Sequence, residues 1–166
     1  LGQRITENTS ADGWDRVTVT FQVPAGTDRV SVYGGITNAT GTAYFDCFQL
    51  ENAMVASDYN LLTNPQFDSS ASWTYTTGAG WASSGRAEIT GDPGGNRNIV
   101  QTVQINKTGV NFRVSGKAGG ISGGSVPITA SSRYFALDLG IYFADGTTEW
   151  KVVPFNPDST GAQFVS

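Results

Sequence analysis

The stretch Tyr134-Phe135-Ala136-Leu137-Asp138-Leu139-Gly140-Ile141-Tyr142-Phe143, followed by Ala144-Asp145-Gly146-Thr147 and then Thr148-Glu149-Trp150-Lys151-Val152-Val153-Pro154-Phe155, decides the fold. Successive side chains of an extended chain point to opposite sides. Phe135, Leu137, Leu139, Ile141 and Phe143 therefore form one apolar face, with Tyr134, Asp138 and Tyr142 on the other. Asp145-Gly146 interrupts the alternation with residues that tolerate the positive φ of a tight turn, and an extended run resumes at Thr148. Asp-Gly between two such runs predicts a β-hairpin.

Working outward, a period of two recurs almost throughout, and no stretch carries the period of an amphipathic helix. Val17, Val19, Phe21 and Val23 alternate with Arg16, Thr18, Thr20 and Gln22. Pro24-Ala25-Gly26-Thr27 then supplies a turn, because Pro presets φ and Gly accepts φ > 0. Arg29 to Tyr33 and Thr42 to Leu50 follow, and these three runs read as successive antiparallel strands. The third is mixed on both faces, which predicts cover on both. Alternation stops between Glu51 and Asn60. From Leu61 onward turn residues are frequent, at Asn64-Pro65, Gly78-Ala79-Gly80, Ser83-Ser84-Gly85 and Gly91-Asp92-Pro93-Gly94-Gly95. Ser72 to Tyr75, Arg86 to Thr90, Asn98 to Ile105 and Val110 to Ala118 are strand candidates among them, and Gly119 to Pro127 reads as a glycine-rich loop. About eight or nine short strands without helices predict an all-β sandwich of two antiparallel sheets.

Composition narrows the function. A chain of 166 residues suits one domain with a real core. Ten basic against fourteen acidic residues, with no basic run, leaves no footprint for a phosphate backbone, so nucleic acid is a poor partner. No apolar run approaches the roughly 20 residues that cross a bilayer. A single Cys excludes an internal disulfide framework and a thiolate zinc site. The absence of His removes the Ser-His-Asp and Cys-His nucleophile systems and His-ligated metals. The start at Leu1-Gly2-Gln3-Arg4 reads as a piece of a longer chain, whose targeting information lies elsewhere.

Two segments resemble a known family. Asn60-Leu61-Leu62-Thr63-Asn64-Pro65-Gln66-Phe67-Asp68, with Trp73 shortly after, is similar to the opening of the jelly-roll carbohydrate-binding modules appended to xylanases and cellulases. Gly13-Trp14-Asp15-Arg16-Val17-Thr18-Val19-Thr20-Phe21, with Gly41-Thr42-Ala43-Tyr44-Phe45-Asp46-Cys47-Phe48-Gln49-Leu50, is similar to their ending. Related modules recur in tandem in bacterial cell-surface proteins with YD-type (Rhs-like) repeats. Pro65 replaces the family's usual Gly, and Cys47 the second Asp of its closing pair. The ending precedes the opening, so the resemblance implies a circular permutation. Residues 1–50 would supply closing strands, 51–60 a connector and 60–166 opening strands. The sandwich would then close within one chain or by strand exchange in a homodimer, with Leu1 and Ser166 near each other.

The resemblance implies non-catalytic glycan binding by a secreted or wall-attached bacterial protein. The rival expectation is a structural spacer or adhesin stalk with no sugar site. It also implies one structural Ca²⁺, with Asp46 and Asp68 as ligands and Gln66 contributing its carbonyl. Trp14 and Trp73 occupy framework positions and are expected in the core.

Sugars present flat C–H faces to aromatic rings and hydroxyls to amides and carboxylates. Trp81, in a loop without strand pattern, is the first candidate contact. Tyr142 with Asp138 on the polar hairpin face is the second, since Tyr134 lies about 26 Å from Tyr142 along the strand. Trp150 is a further candidate, although it shares a face with Thr148 and Val152 and that face reads as core. Asp138 with Glu149 is the conceivable carboxylate pair for a glycosidase, and nothing in the spacing selects it. Cys47, inside an apolar strand, reads as a small buried hydrophobe.

Overall fold

The alternating runs become strands in the computed structural model, which describes residues 15–38, 41–52, 60–82, 85–92, 94–105, 109–120 and 134–154. There are ten: β1 (Asp15–Gln22), β2 (Thr27–Thr37), β3 (Thr42–Glu51), β4 (Thr74–Tyr75), β5 (Ala79–Ala82), β6 (Arg86–Thr90), β7 (Asn96–Gln104), β8 (Asn111–Gly120), β9 (Tyr134–Phe143) and β10 (Thr148–Pro154). No helix occurs among the described residues. Every ladder is antiparallel. The first sheet runs β1-β8-β3-β6-β5 and the second β10-β9-β2-β7-β4. The chain changes sheet at every connection except the hairpins β5–β6 and β9–β10.

That crossing pattern corrects one expectation. β1, β2 and β3 are not neighbours, because β1 and β3 flank β8 in the first sheet while β2 lies between β7 and β9 in the second. Strands from residues 15–51 thus form ladders with strands from residues 60–154 in both sheets, within a single chain. Leu1, Trp14 and Ser166 lie outside the described residues.

The inner faces meet in one core. Val30, Val32 and Ile36 of β2, Ile99 of β7 and Leu137, Leu139 and Ile141 of β9 line the second sheet. Phe45, Phe48 and Leu50 of β3, Ile89 of β6 and Phe112 and Val114 of β8 line the first. Phe48 is central, with its ring centroid 5.9 Å from Phe45, 5.5 Å from Phe67 and 5.3 Å from Trp73. Its seat needs bare backbone opposite, since a Cβ at Gly116 would fall 2.5 Å from the Phe48 ring. Trp73 is buried as expected, and its Nε1 donates to the Asn64 carbonyl at 2.9 Å.

β3 misleads because its alternation slips. Ala43 and Phe45 point inward, and so do Phe48 and Leu50, one position out of phase. The register shifts between Asp46 and Gln49, where Cys47 takes φ +52°. A bulge adds one residue to a strand, so an apolar set that looks two-sided is one-sided. The apolar set of β3 thus faces one side, and Cys47 is half-buried on the bulge rather than in the core.

The 60–68 segment clips onto this strand. Asn60 Oδ1 accepts from the Leu50 and Leu62 N–H groups, and its Nδ2 donates to the Phe48 carbonyl at 2.8 Å. Buried Gln101 accepts from Thr63 N–H and donates to the Thr63 and Ser72 carbonyls. Side chains here supply the backbone partners that a ladder would otherwise provide. The motif residues are framework.

Candidate functional site

The position of Trp150 is decided at the hairpin turn. A two-residue Asp145-Gly146 turn would pair Ala144 with Thr147 and place Trp150 opposite Ile141, facing the core. Instead Phe143 N–H donates to the Thr147 carbonyl and Gly146 N–H to the Phe143 carbonyl, both at 3.0 Å, with Gly146 at φ +88°. Asp145 Oδ1 accepts from Thr147 N–H and Oγ1–H, closing the turn from its own side chain. The loop is three residues long, with Gly in the left-handed position that such loops require. A one-residue slip moves every side chain of a strand to the other face. Trp150 accordingly pairs with Gly140 and Val152 with Asp138. Trp150 is thus 52 % exposed on the outer face of the second sheet, and the expectation of a core position is corrected. Val153 takes the core place.

Register builds the rest of this face. Tyr33 of β2 pairs with Asp138, and Gly35 pairs with Ala136 on one side and Asn98 on the other. The two residues expected to act together, Asp138 and Tyr142, are joined by Trp150 and by three residues the sequence did not single out: Tyr33, Asn96 and Asn98. A cavity of about 290 Å³ lies among Tyr33, Asn96, Asn98, Asp138, Trp150 and Val152, with Gly35 also lining it. Gly140 lets the aromatic group lie low, because a Cβ there would come within 3.1 Å of the Tyr142 ring and 3.2 Å of the Trp150 ring. Tyr33 is 5.3 Å from Trp150 between centroids, and its hydroxyl shares a 2.8 Å hydrogen bond with that of Tyr142. Arg29 lies over the Tyr142 ring, 4.6 Å from its centroid.

The electrostatics follow from burial. Asp138 is held among apolar and aromatic groups, and desolvation pushes its carboxyl up to about 7. Its Oδ1 is buried without a hydrogen-bond partner. Tyr33 is pushed up to about 12, first by burial and then by its hydrogen bond to Tyr142. Arg97 also lines the cavity, and its carbonyl lies 3.3 Å from the position of a Cβ on Gly35. Its side chain leaves on the opposite face, beside Gly78, and forms an ion pair with Asp92. Flat aromatic walls, two amides and a buried carboxyl can hold a ring that is apolar on one side and hydroxylated at its edge.

Trp81 belongs elsewhere. It lies on β5, at the edge of the first sheet, and not in a loop. Its Nε1 donates to the Phe67 carbonyl at 2.5 Å, which fixes the indole over the 64–67 turn at 39 % exposure. It cannot act with Tyr142, which is on the other sheet. Glu149 points away from Asp138, because alternation along β10 puts it opposite Trp150 and Val152, and it pairs with Lys151 at 2.7 Å. The conceivable carboxylate pair is not assembled.

Two of the calcium candidates, Asp46 and Asp68, lie near each other at the β3 bulge. Burial raises the Asp46 carboxyl above the usual range, and the nearby Asp68 charge adds to this. The Cys47 N–H and the Lys117 charge oppose it. Asp68 and Gln66 are exposed. Ca²⁺ takes six to eight oxygens. The Asn64, Pro65 and Phe67 carbonyls around these residues already accept from Trp73, Phe48 and Trp81. Two carboxylates and Gln66 therefore fit such an ion in part, with water left to complete it. Among the described residues no group of three or more His, Cys, Asp or Glu side chains is placed to hold a metal.

No family model matches this chain, and neither a curated protein nor a solved structure matches it.

Proposed function

We propose that this sandwich is a non-catalytic glycan-binding module of a secreted or wall-attached bacterial protein, and that its contact surface is the outer face of the second sheet. The observation that carries the reading is Trp150. It is a half-exposed indole on a sheet face, tilted against Tyr33, beside a cavity with a buried carboxyl and two amides. An aromatic platform next to convergent polar groups is the arrangement that matches a sugar's flat apolar face and its hydroxyl rim. The likeness of residues 60–68 and 13–50 to jelly-roll carbohydrate-binding modules supports the same reading. With it come the permuted strand order and a structural Ca²⁺ between Asp46 and Asp68.

A glycan array probed with the purified domain, followed by titration of the best ligand, tests the proposal. Trp150→Ala is expected to weaken that ligand at least about tenfold, as truncation of a central aromatic anchor does. Trp81→Ala should leave affinity unchanged. An array without a bound glycan would favour the spacer reading instead.

A further inference from the structure

Resting on the glycan-binding reading above, we propose that the Trp150 cavity is selective by charge: Asp138 accepts a hydroxyl of the sugar, and sugars carrying carboxylate, sulfate or phosphate groups are excluded. The first ground is the unpaired oxygen. Asp138 Oδ1 is buried and has no protein donor, and Asp138 lines the same cavity as Tyr33, Trp150 and Val152. A buried acceptor without a donor is costly, so a ligand hydroxyl that reaches it recovers what the fold leaves unmade.

The second ground is that the cavity contains no compensating cation among the described residues. Arg97 offers its carbonyl side, and its guanidinium is committed to Asp92 across the sheet. Arg29 does not line the cavity; it lies over the Tyr142 ring, 2.9 Å from Asp28. Lys151 alternates to the other side of β10 and meets Glu149. An anionic sugar would have to shed its hydration against aromatic and apolar walls, with no cation among the described residues to pair with. Once Asp138 ionises, above about pH 7, it would meet a like charge as well. The Asn96 and Asn98 amides cannot neutralise it, because they carry no net charge. Recognition by a site built to accept a hydroxyl also rejects a substituent that cannot donate.

The experiment compares neutral and acidic polymers on the same domain. Galactan, glucan, mannan and xylan are run against polygalacturonate and alginate in affinity gels, and the tightest neutral binder is then titrated by calorimetry. The expected result is retention by at least one neutral polymer and by neither polyuronate. Asp138→Asn should then weaken the neutral ligand about tenfold and narrow its margin over the matching polyuronate by a similar factor. Equal or tighter binding of a polyuronate by the unmodified domain would overturn charge selectivity while leaving glycan binding intact. Retention by no polymer of either kind would overturn the glycan reading itself. The unmodified domain alone decides between neutral and acidic polymers, so a poorly folded Asp138→Asn does not remove the test.

Discussion

Trp81 and Trp150 are both exposed tryptophans on edge strands, and they differ in what their surroundings leave over. Trp81 has spent its indole N–H on the Phe67 carbonyl and lies over the turn that carries Asn64, Pro65 and Phe67. Trp150 projects from the outer side of β10, where Gly140 opposite leaves room for its ring and Asp138 lies two residues along the partner strand. Among the described residues its indole has no hydrogen bond to the protein. Exposure alone does not separate a binding residue from a structural one. The commitment of the polar atom does, because a donor already satisfied inside the fold has little to offer a ligand.

The contrast can be broken most forcefully by substitution on the Trp81 side. Trp73→Ala, which empties the space between Phe48 and Phe67, should cost about 3–5 kcal/mol. Trp81→Ala should cost about 1–2 kcal/mol, from one hydrogen bond and a half-buried ring. Trp150→Ala should stay within about 0.5 kcal/mol, as for a surface residue. Denaturant melts of the three variants check the order. A Trp150 variant as unstable as the Trp73 variant would make Trp150 a core residue after all.

Asp138 sharpens the comparison through pH. Its folded carboxyl titrates at about 7, against 3.8 for the unconstrained group. The native state therefore keeps a proton that the unfolded chain has lost, and stability falls as pH climbs from about 4 to about 7. At 1.36 kcal/mol per unit the loss is on the order of 4 kcal/mol at most. Asp46 shifts in the same direction, so the informative quantity is the difference between the unmodified domain and Asp138→Asn. That variant should flatten the upper part of the decline. Parallel profiles for the two proteins would mean that Asp138 is solvated.

The smallest expected effect lies at the β3 bulge. Saturating Ca²⁺ should raise the melting midpoint by about 2–4 °C, corresponding to about 1 kcal/mol, if Asp46 and Asp68 share an ion. Chelator should reverse the rise. A midpoint indifferent to both would remove the ion from these carboxylates.

Local pattern determined a good deal here. Alternation alone placed β6 (Arg86–Thr90) without error, put β1, β7, β8, β9 and β10 within a few residues, and separated Leu137, Leu139 and Ile141 from Asp138 and Tyr142. It did so because the two sides of a half-buried strand meet different solvents, and the sequence must reflect that difference. What it could not determine was register. An added residue at Cys47 makes β3 look two-sided, and one further loop residue at Asp145-Gly146 turns Trp150 from the core to the surface. Tyr33, Asn96 and Asn98 join Asp138 only because β2 pairs with both β7 and β9, across separations of tens of residues. Each of these outcomes depends on which backbone hydrogen bonds close, and a period of two reads equally well in either phase. Only the packed pair of sheets chooses between them.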